Sequence, residues 1–192
     1  ATLAEEAPEG EEWVHEIKYD GYRLMAAVSG TQVRLYTRSG QDWTHRFGSV
    51  AADLAKRDLQ SCLLDGEVVV AGSGGRSDFG ELQRVLRDGS GAFAYFLFDL
   101  LHLDEEDLRK LPLLERKERL RNLLVRRRDS IRYSDHEQGR GDRVAQQACR
   151  LGLEGIISKR ADSPYRSTRN RDWLKVKCVR RQEFVIGGWT PS

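Results

Sequence analysis

Two carboxylates inside an otherwise apolar run set the terms on which this chain can fold. Residues Cys62 to Ala71 read as one strand, with LLDGEVVV at its heart. Strand alternation puts Asp65 and Glu67 on the face that carries Leu63 and Val69, and Gly66 between them leaves the opposite face open to close approach. Carboxylates are costly to bury unless they are paired, hydrogen-bonded or bound to metal. Either this is an edge strand with one wet face, or the fold delivers cations to Asp65 and Glu67. The flanking valines argue for burial.

A second run has the same character. From Trp13 to Asp20, one face holds Trp13, His15, Ile17 and Tyr19, and the other holds Val14, Glu16, Lys18 and Asp20. A lysine between two carboxylates is, in an isolated strand, an ordinary ladder of exposed charges. Gly21, directly after Asp20, opens another reading: glycine permits a turn or a close backbone approach where the charged face ends, as a phosphorylated ligand needs. A free lysine, with a pKa of about 10.4, is almost wholly protonated at pH 7. A nucleophilic role for Lys18 therefore requires other cations or a metal close by.

The middle of the chain supplies scaffold. Residues 22–28 and 33–38 form a hairpin around Ser29 and Gly30, which delivers Arg38 to a turn at Ser39 and Gly40. Phe47, Val50, Ala51 and Leu54 recur at helical spacing and predict a helix over 47–59. Glycines around Ser73 make a loop, after which Asp78 and Glu81 resemble a capping box opening a short helix that buries Phe79, Leu82 and Val85 or Leu86. AFAYFLFDLL, residues 92–101, is a buried strand with Phe96 in the core. Phe98 lies nearer its polar end, where a ring can stack on a nucleobase, although the stretch alone favours core. Pro112 to Arg128 is a basic amphipathic helix with Leu113, Leu120 and Leu124 on the buried side and its arginines on a solvated face. A short strand over 131–134 and a helix over 142–151, stopped by Gly152, follow.

The final third carries the cations. LEGIISKR, residues 153–160, is a strand in which Glu154 shares a face with Ile156 and Ser158, and WLKVKC, residues 173–178, sets Lys175 and Lys177 on one face. From Arg160 to Arg181 there are eight basic residues against two acidic ones, in a chain whose net charge is only +2. The cluster is therefore local, and it needs an anion to face.

Composition narrows the class. A length of 192 residues suits one domain, or one and a small part of another, and 39% hydrophobic with 32% charged residues describes a folded rather than a disordered chain. No apolar run approaches the roughly 18 residues of a membrane span and no signal peptide is visible, so no membrane partner is expected. Cys62, Cys149 and Cys178 are odd in number and far apart, without a Cys-x-x-Cys pair, which suggests a reducing compartment and no structural zinc.

In order and spacing, KYDGYR, the Arg38-Ser39-Gly40 turn, LLDGE, the FDLL that begins at Phe98, EGIISK and WLKVK resemble the six-part signature of the covalent nucleotidyltransferases, the superfamily of ATP-dependent DNA ligases, RNA ligases and mRNA capping enzymes. One K-x-D-G is a weak signal; six motifs in sequence are a strong one. The match runs from about Trp13 to Trp189. Between the motifs, YTRSGQDWTHRF and KRADSPYRSTRNRDWLKVKC are most similar to the ligase domain of the bacterial end-joining DNA ligases of the ligase D type. Ser39 stands where relatives often have Asn.

The resemblance implies an α+β fold of antiparallel β-sheets flanked by helices, an ATP-grasp-like adenylation domain with the nucleotide between the sheets. By resemblance, Lys18 attacks the α-phosphorus of ATP and holds AMP as a covalent adduct, which passes to the 5′-phosphate of a DNA nick in end-joining repair. Glu16 matches the position that reads the adenine edge and Phe98 the ring stacked on it, which reverses the core reading of Phe98. Arg23, Arg38 and Glu67 match positions around the ribose and phosphates, Lys175 and Lys177 the pair that binds the phosphates, and Asp20 a group that orients the nucleophile. Glu67 and Glu154 resemble the carboxylates that organise Mg²⁺ or Mn²⁺.

The expected organisation is an acidic tail or linker over 1–12, the adenylation domain over 13–189, and the start of a linker over 190–192 leading to an oligonucleotide-binding barrel. Without that barrel, nick sealing is expected to be poor or absent. Nicked double-stranded DNA, the Ku end-binding protein and attached polymerase and nuclease domains are the implied partners, in a bacterial cytoplasm associated with the nucleoid. Two rival readings share the motifs: an RNA ligase or GTP-using capping enzyme, and a nucleotide-binding module without chemistry, which predicts salt-sensitive binding and no adduct.

Overall fold

The computed structural model describes residues 1–57, 59–70, 78–89, 91–124 and 129–178. The loop around Ser73, the end of the basic helix at 125–128, Arg180 and Arg181, and the expected domain end and linker at 189–192 lie outside the described residues.

The period-2 segments assemble into two sheets. The first contains β1 (Thr2–Ala4), β2 (Glu9–Ile17), β9 (His136–Arg140), β10 (Gly155–Arg160) and β11 (Trp173–Lys177), in the order β1-β11-β10-β2-β9. The second contains β3 (Tyr22–Ser29), β4 (Gln32–Thr37), β5 (Ser61–Val70), β6 (Phe93–Leu103) and β7 (Glu106–Asp107), in the order β4-β3-β5-β6-β7, with β8 (Ile131–Tyr133) also paired to β6. The pairs β1–β11 and β6–β8 are parallel; the others are antiparallel. The hairpin expected around Ser29 and Gly30 joins β3 to β4, and Gly30 takes a φ of 56° at its turn, where glycine is unstrained.

β5 is an interior strand between β3 and β6, so the wet-edge reading of Asp65 and Glu67 fails: the Asp65 side chain has no exposed surface. Gly66 does what its lack of a side chain allows. A Cβ there would lie 2.6 Å from the Phe96 carbonyl oxygen, so β6 can approach only because the position is bare.

The main core joins the second sheet to α1 (Gly48–Ala55), α2 (Phe79–Asp88) and α3 (Leu113–Leu123), through Leu54, Leu82, Leu97 and Leu120 among others. A 3-10 turn over Thr44–Phe47 precedes α1, which begins one residue after the start of the helix expected over 47–59 and ends at Ala55, short of its expected end. Asp78 caps α2 as anticipated, accepting bonds from the amides of Gly80 and Glu81 at 2.8 and 3.1 Å. α3 reaches both sheets: Leu120 belongs to the main core, whereas Leu113 packs with Val14 and Ala161 beside the first sheet. α4 (Gly141–Arg150) lies on the first sheet, where Ala148 packs with Ile156 and Val176. No helix among the described residues is long and apolar enough to cross a membrane.

Five expectations are corrected. The acidic start is no tail: β1 pairs with β11 and β2 begins at Glu9, because backbone pairing needs no apolar periodicity. β2 ends at Ile17, so Lys18, Tyr19 and Asp20 leave the strand, and only the Lys18 amide continues the ladder, to Gly155 O at 2.9 Å. The basic face of α3 is not wholly solvated, since Arg116 and Lys117 are fully buried among carboxylates and carbonyls. Phe96 is outside the core and stacks on Tyr19 at 4.1 Å. Cys149 and Cys178, distant in sequence, are joined in a disulfide between α4 and the residue after β11, against the all-reduced reading; Cys62 alone is free and buried.

Candidate active site

β2 and β3 are consecutive strands in different sheets, so the loop between them, Lys18 to Gly21, crosses from one sheet to the other. Gly21 makes the crossing possible: a Cβ at this position would come within 2.1 Å of the Val68 carbonyl oxygen of β5. Two adjoining clefts open where the sheets face each other, and Lys18, Arg23, Ile157 and Trp173 line both.

The first cleft is the more apolar. Phe98 and Trp173 meet edge to face, with centroids 6.0 Å apart, and Glu16, Tyr19, Glu67 and Lys159 complete the wall. The Lys159 ammonium lies 4.4 Å from the Phe98 centroid and 4.3 Å from that of Trp173, while the Arg23 guanidinium lies 5.4 and 5.6 Å from the same two rings. These are cation–π distances. The second cleft is cationic: Lys18, Arg23, Arg38, Arg166, Arg169 and Lys175 all line it.

Charge pairing differs between the clefts. In the apolar one, Glu16 is 3% exposed and takes both Lys117 and Lys159 on its Oε1 at 2.9 Å each, while Ser134 donates to its Oε2 at 3.1 Å. Burial alone would raise the Glu16 carboxyl, but the two ammonium groups overcome it and hold the group below its usual range. Burial pushes Lys159 down to about 8, with Lys117 adding to the effect and Glu16 opposing it. Arg23 grips Asp65 in a two-pronged pair at 3.0 and 2.6 Å, and Tyr165 donates to the same Asp65 Oδ2 at 2.9 Å. Asp99, neighbour to Phe98, is committed to Arg116 at 2.8 and 2.9 Å, both side chains being fully buried.

Glu67 stands apart. Its carboxylate forms no ion pair among the described residues; burial raises it to about 7, against the pull of Lys18 and Arg23 and a bond from the Gly21 amide. Glu154 joins Lys18 directly and Lys177 at 3.3 Å. In the second cleft Arg38, Arg166, Arg169 and Lys175 have no carboxylate partner among the described residues. Unneutralised cations converging on one basin form an anion site.

Of the residues singled out in the sequence, Glu16, Lys18, Arg23, Glu67 and Phe98 line the first cleft, and Lys18, Arg23, Arg38 and Lys175 the second. Glu154 stands behind Lys18 as its ion-pair partner, Lys177 pairs with Glu154 in turn, and Asp20 does not line either cleft. Reading the sequence missed Lys159 and Trp173, although each sits inside a quoted motif, and Tyr165 in the basic loop. It also missed Lys117, whose signal was its place in the spacing Leu113, Lys117, Leu120, Leu124 on the buried side of α3.

A cleft between two antiparallel sheets, with a lysine where an aromatic slot meets a basin of cations, defines a nucleotide-binding transferase fold. Residues 3–177 match the family model for the ATP dependent DNA ligase domain. The chain belongs to the ATP-dependent DNA ligases. It is 47% identical over 192 residues to the multifunctional non-homologous end joining protein LigD of Pseudomonas aeruginosa, a match that covers 99% of this chain and 23% of that protein. It is 35% identical over 184 residues to the prophage-derived DNA ligase-like protein LigB of Bacillus subtilis, covering 94% of this chain and 66% of the relative. Among solved structures, the ligase domain of M. tuberculosis LigD superposes with a TM-score of 0.79 at 32% identity, over 92% of this chain and 57% of that one. A mycobacterial DNA ligase D complexed with ATP and MES gives the same TM-score, over 92% of this chain and 58% of that one.

Proposed function

We propose that this domain transfers AMP from ATP to Lys18 and then to the 5′-phosphate of nicked DNA. The observation that carries the reading is that Lys18 lines both clefts, at the junction of the aromatic slot and the cationic basin. A nucleotide with its base against Phe98 and its phosphates toward Arg38 and Lys175 has its α-phosphorus beside Lys18.

In this reading, Glu16 accepts the amino group of adenine, and Arg23, oriented by Asp65, serves the ribose and α-phosphate. Lys175 and Arg38 neutralise the phosphate tail, Lys177 holds Glu154 in place, and Asp20 orients the loop that carries Lys18. Glu154 positions the Lys18 ammonium and is placed to accept its proton. The freed amine forms the P–N bond as the bond from the α-phosphorus to the bridging oxygen breaks, and pyrophosphate carries away the electron pair. In the second step the 5′-phosphate oxygen attacks the same phosphorus, and the lysine leaves with a proton regained.

The donor set suits a divalent ion of the Mg²⁺ or Mn²⁺ type. Among the described residues no group of three or more His, Cys, Asp or Glu forms a protein cage. Glu67 supplies one carboxylate that no cation has claimed, which fits an ion held by one or two carboxylates together with phosphate oxygens and water. Glu154 joins as a second ligand only by loosening its hold on Lys18 and Lys177. The ion's contribution is to withdraw charge from the phosphates during transfer.

The chain spans less than a quarter of the length of the P. aeruginosa relative. We infer that this chain, from β1 onward rather than from residue 13, acts as the adenylation unit of a longer end-joining ligase. Nick sealing, contact with Ku and cooperation with polymerase or nuclease domains in the bacterial nucleoid belong to that longer protein. The test is the intact mass of the purified domain before and after incubation with ATP and Mg²⁺, beside Lys18→Ala. A gain of one AMP, acid-labile and absent from the variant, is the expected result. ATP binding without an adduct, in this domain and in a longer chain alike, would leave a nucleotide-binding module and overturn the proposal.

A further inference from the structure

The base end of the first cleft is built from two sheets: Glu16 comes from β2 in one and Phe98 from β6 in the other. No backbone ladder joins these strands, so their separation depends on side chains. Ser134 bonds Glu16 with its hydroxyl and Leu97 O of β6 with its amide, Lys159 bonds Glu16 and lies over the Phe98 ring, and a third group reaches Glu16 and the Phe98 backbone alike. The Lys117 ammonium, entering from α3, is 2.9 Å from Glu16 Oε1, 3.1 Å from Ser134 O and 3.5 Å from Phe98 O. Three acceptors meet the three protons of one ammonium. The Tyr133 ring lies 4.7 Å away on a further side.

Lys117 has no exposed side-chain surface and does not line the cleft, so it is placed to touch no ligand. A fully buried ammonium is costly to the fold, and a leucine on this stripe of α3 would pack without that cost. Glu16, by contrast, does line the cleft. An ionised carboxylate offers about four lone-pair sites. Lys117 and Lys159 occupy those of Oε1 and Ser134 one of Oε2, which leaves one acceptor site free for the cleft. A carboxylate held ionised is an acceptor only: it welcomes an amino group at the purine 6-position and rejects a carbonyl oxygen there.

We propose that Lys117 is a positioning residue for base recognition, tying Glu16 to the Phe98 strand and fixing the carboxylate as the acceptor that selects a 6-amino purine. The inference rests on the reading of Glu16 as the adenine contact. Lys159 does not replace Lys117: it meets Phe98 only at the ring face, makes no bond to the β6 backbone, and itself lines the cleft.

The experiment compares adduct formation with ATP, GTP and purine riboside triphosphate, which lacks the 6-amino group, in the wild type, Lys117→Met, Glu16→Gln and the double variant. For Lys117→Met we expect the preference for ATP over the analogue to fall about tenfold or more, the loss of a hydrogen bond to a charged group. The change should lie in KM for ATP, with the maximal rate and the KM for the analogue moving much less. In the double variant no uncompensated carboxylate remains. It should fold as the wild type does, judged by its thermal transition, and add little to the loss of preference in Glu16→Gln alone. That comparison decides the matter if Lys117→Met by itself is too unstable to assay. A Lys117→Met enzyme that keeps the wild-type preference, or that loses all three nucleotides equally, overturns the proposal, as does a double variant whose losses are additive. Glu16→Gln separates the two layers. If it abolishes the preference while Lys117→Met does not, only the positioning role fails; if it changes nothing, the adenine reading of Glu16 fails first.

Discussion

Glu67 offers the sharpest quantitative test, because its environment and its proposed role pull in opposite directions. Burial raises its carboxyl to about 7 from 4.5, so the folded domain without nucleotide holds a proton there that the unfolded chain releases more readily. A carboxyl raised in the folded state adds no penalty below the unfolded pKa, destabilises progressively as pH climbs from about 4.5 to about 7, and is constant above that. The shift corresponds to a ceiling of about 3 kcal/mol at 1.36 kcal/mol per unit. Because Glu67 keeps some contact with solvent, screening reduces the expected effect to about 1–3 kcal/mol. Glu67→Gln removes the titration and keeps the shape. Urea unfolding, followed by tryptophan fluorescence at pH 5, 6, 7 and 8, should show the variant gaining stability on the wild type by that amount between pH 5 and 8. Taking the difference between the two proteins cancels the histidines, of which burial lowers His15 and drives His136 down to about 4. A gap that stays constant from pH 5 to 8 would refute the reasoning. The same proton provides a link to function: binding of ATP with Mg²⁺ at pH 6.5 should release most of a proton, visible by calorimetry in buffers of different ionisation enthalpy, and the release should vanish in Glu67→Gln.

Three further outcomes follow from individual contacts. Asp99→Leu strands the buried Arg116 and should cost about 3–5 kcal/mol in urea unfolding, whereas Asp99→Leu with Arg116→Met should recover most of it, because two charges leave together. Gly21→Ala drives a Cβ against the Val68 carbonyl and removes the amide from Glu67; adduct formation should fall at least tenfold, read by intact mass against time. Reducing the Cys149–Cys178 bridge frees a loop of 29 residues and should lower stability by about 3–4 kcal/mol, measured by urea unfolding with and without dithiothreitol, with Cys149→Ser matching the reduced wild type.

The strands were legible because a short apolar run is a local property: LLDGEVVV and AFAYFLFDLL declared themselves in the sequence, and Gly66 marked their close approach. What the sequence could not show was which charges meet. Arg116 and Lys117 look like surface residues in a basic helix, and only the crossing of α3 over both sheets turns them inward. The acidic stretch before Trp13 contributes the edge strand β1 and the first residues of β2, whose Glu9, Glu11 and Glu12 stay exposed, so backbone pairing there leaves no apolar alternation to read. Cys149 and Cys178 were separated by chain length and joined by topology, since α4 packs on the strand β10 that pairs with β11. Motif spacing carried the site residues better than periodicity did: alternation alone put Lys18 in a strand that stops at Ile17.

Under the proposed function, the sorting of charges along the cleft would let one lysine serve two partners in turn. At the base end, Glu67 apart, the buried charges named here have fixed opposites: Glu16 with Lys117 and Lys159, Asp65 with Arg23, Asp99 with Arg116. These pairs leave one cation in excess, set against the basin's four cations that lack a carboxylate partner among the described residues, and a neutral purine needs shape more than field. At the other end Arg38, Arg166, Arg169 and Lys175 face the basin without carboxylates, so an arriving polyphosphate or DNA 5′-phosphate replaces mutual repulsion with attraction. Lys18 lies at the boundary with Glu154 as its counter-ion. A phosphate group drawn to the basin competes for the same ammonium and weakens its bond to Glu154. In the proposed reaction, the arrival of the phosphate would loosen the nucleophile, and the same basin would be free to receive the DNA phosphate once pyrophosphate has left. Salt should accordingly weaken binding of the nucleotide's phosphate tail and of DNA far more than it weakens binding of adenosine. Equal salt dependence for adenosine and ATP would count against this division of labour.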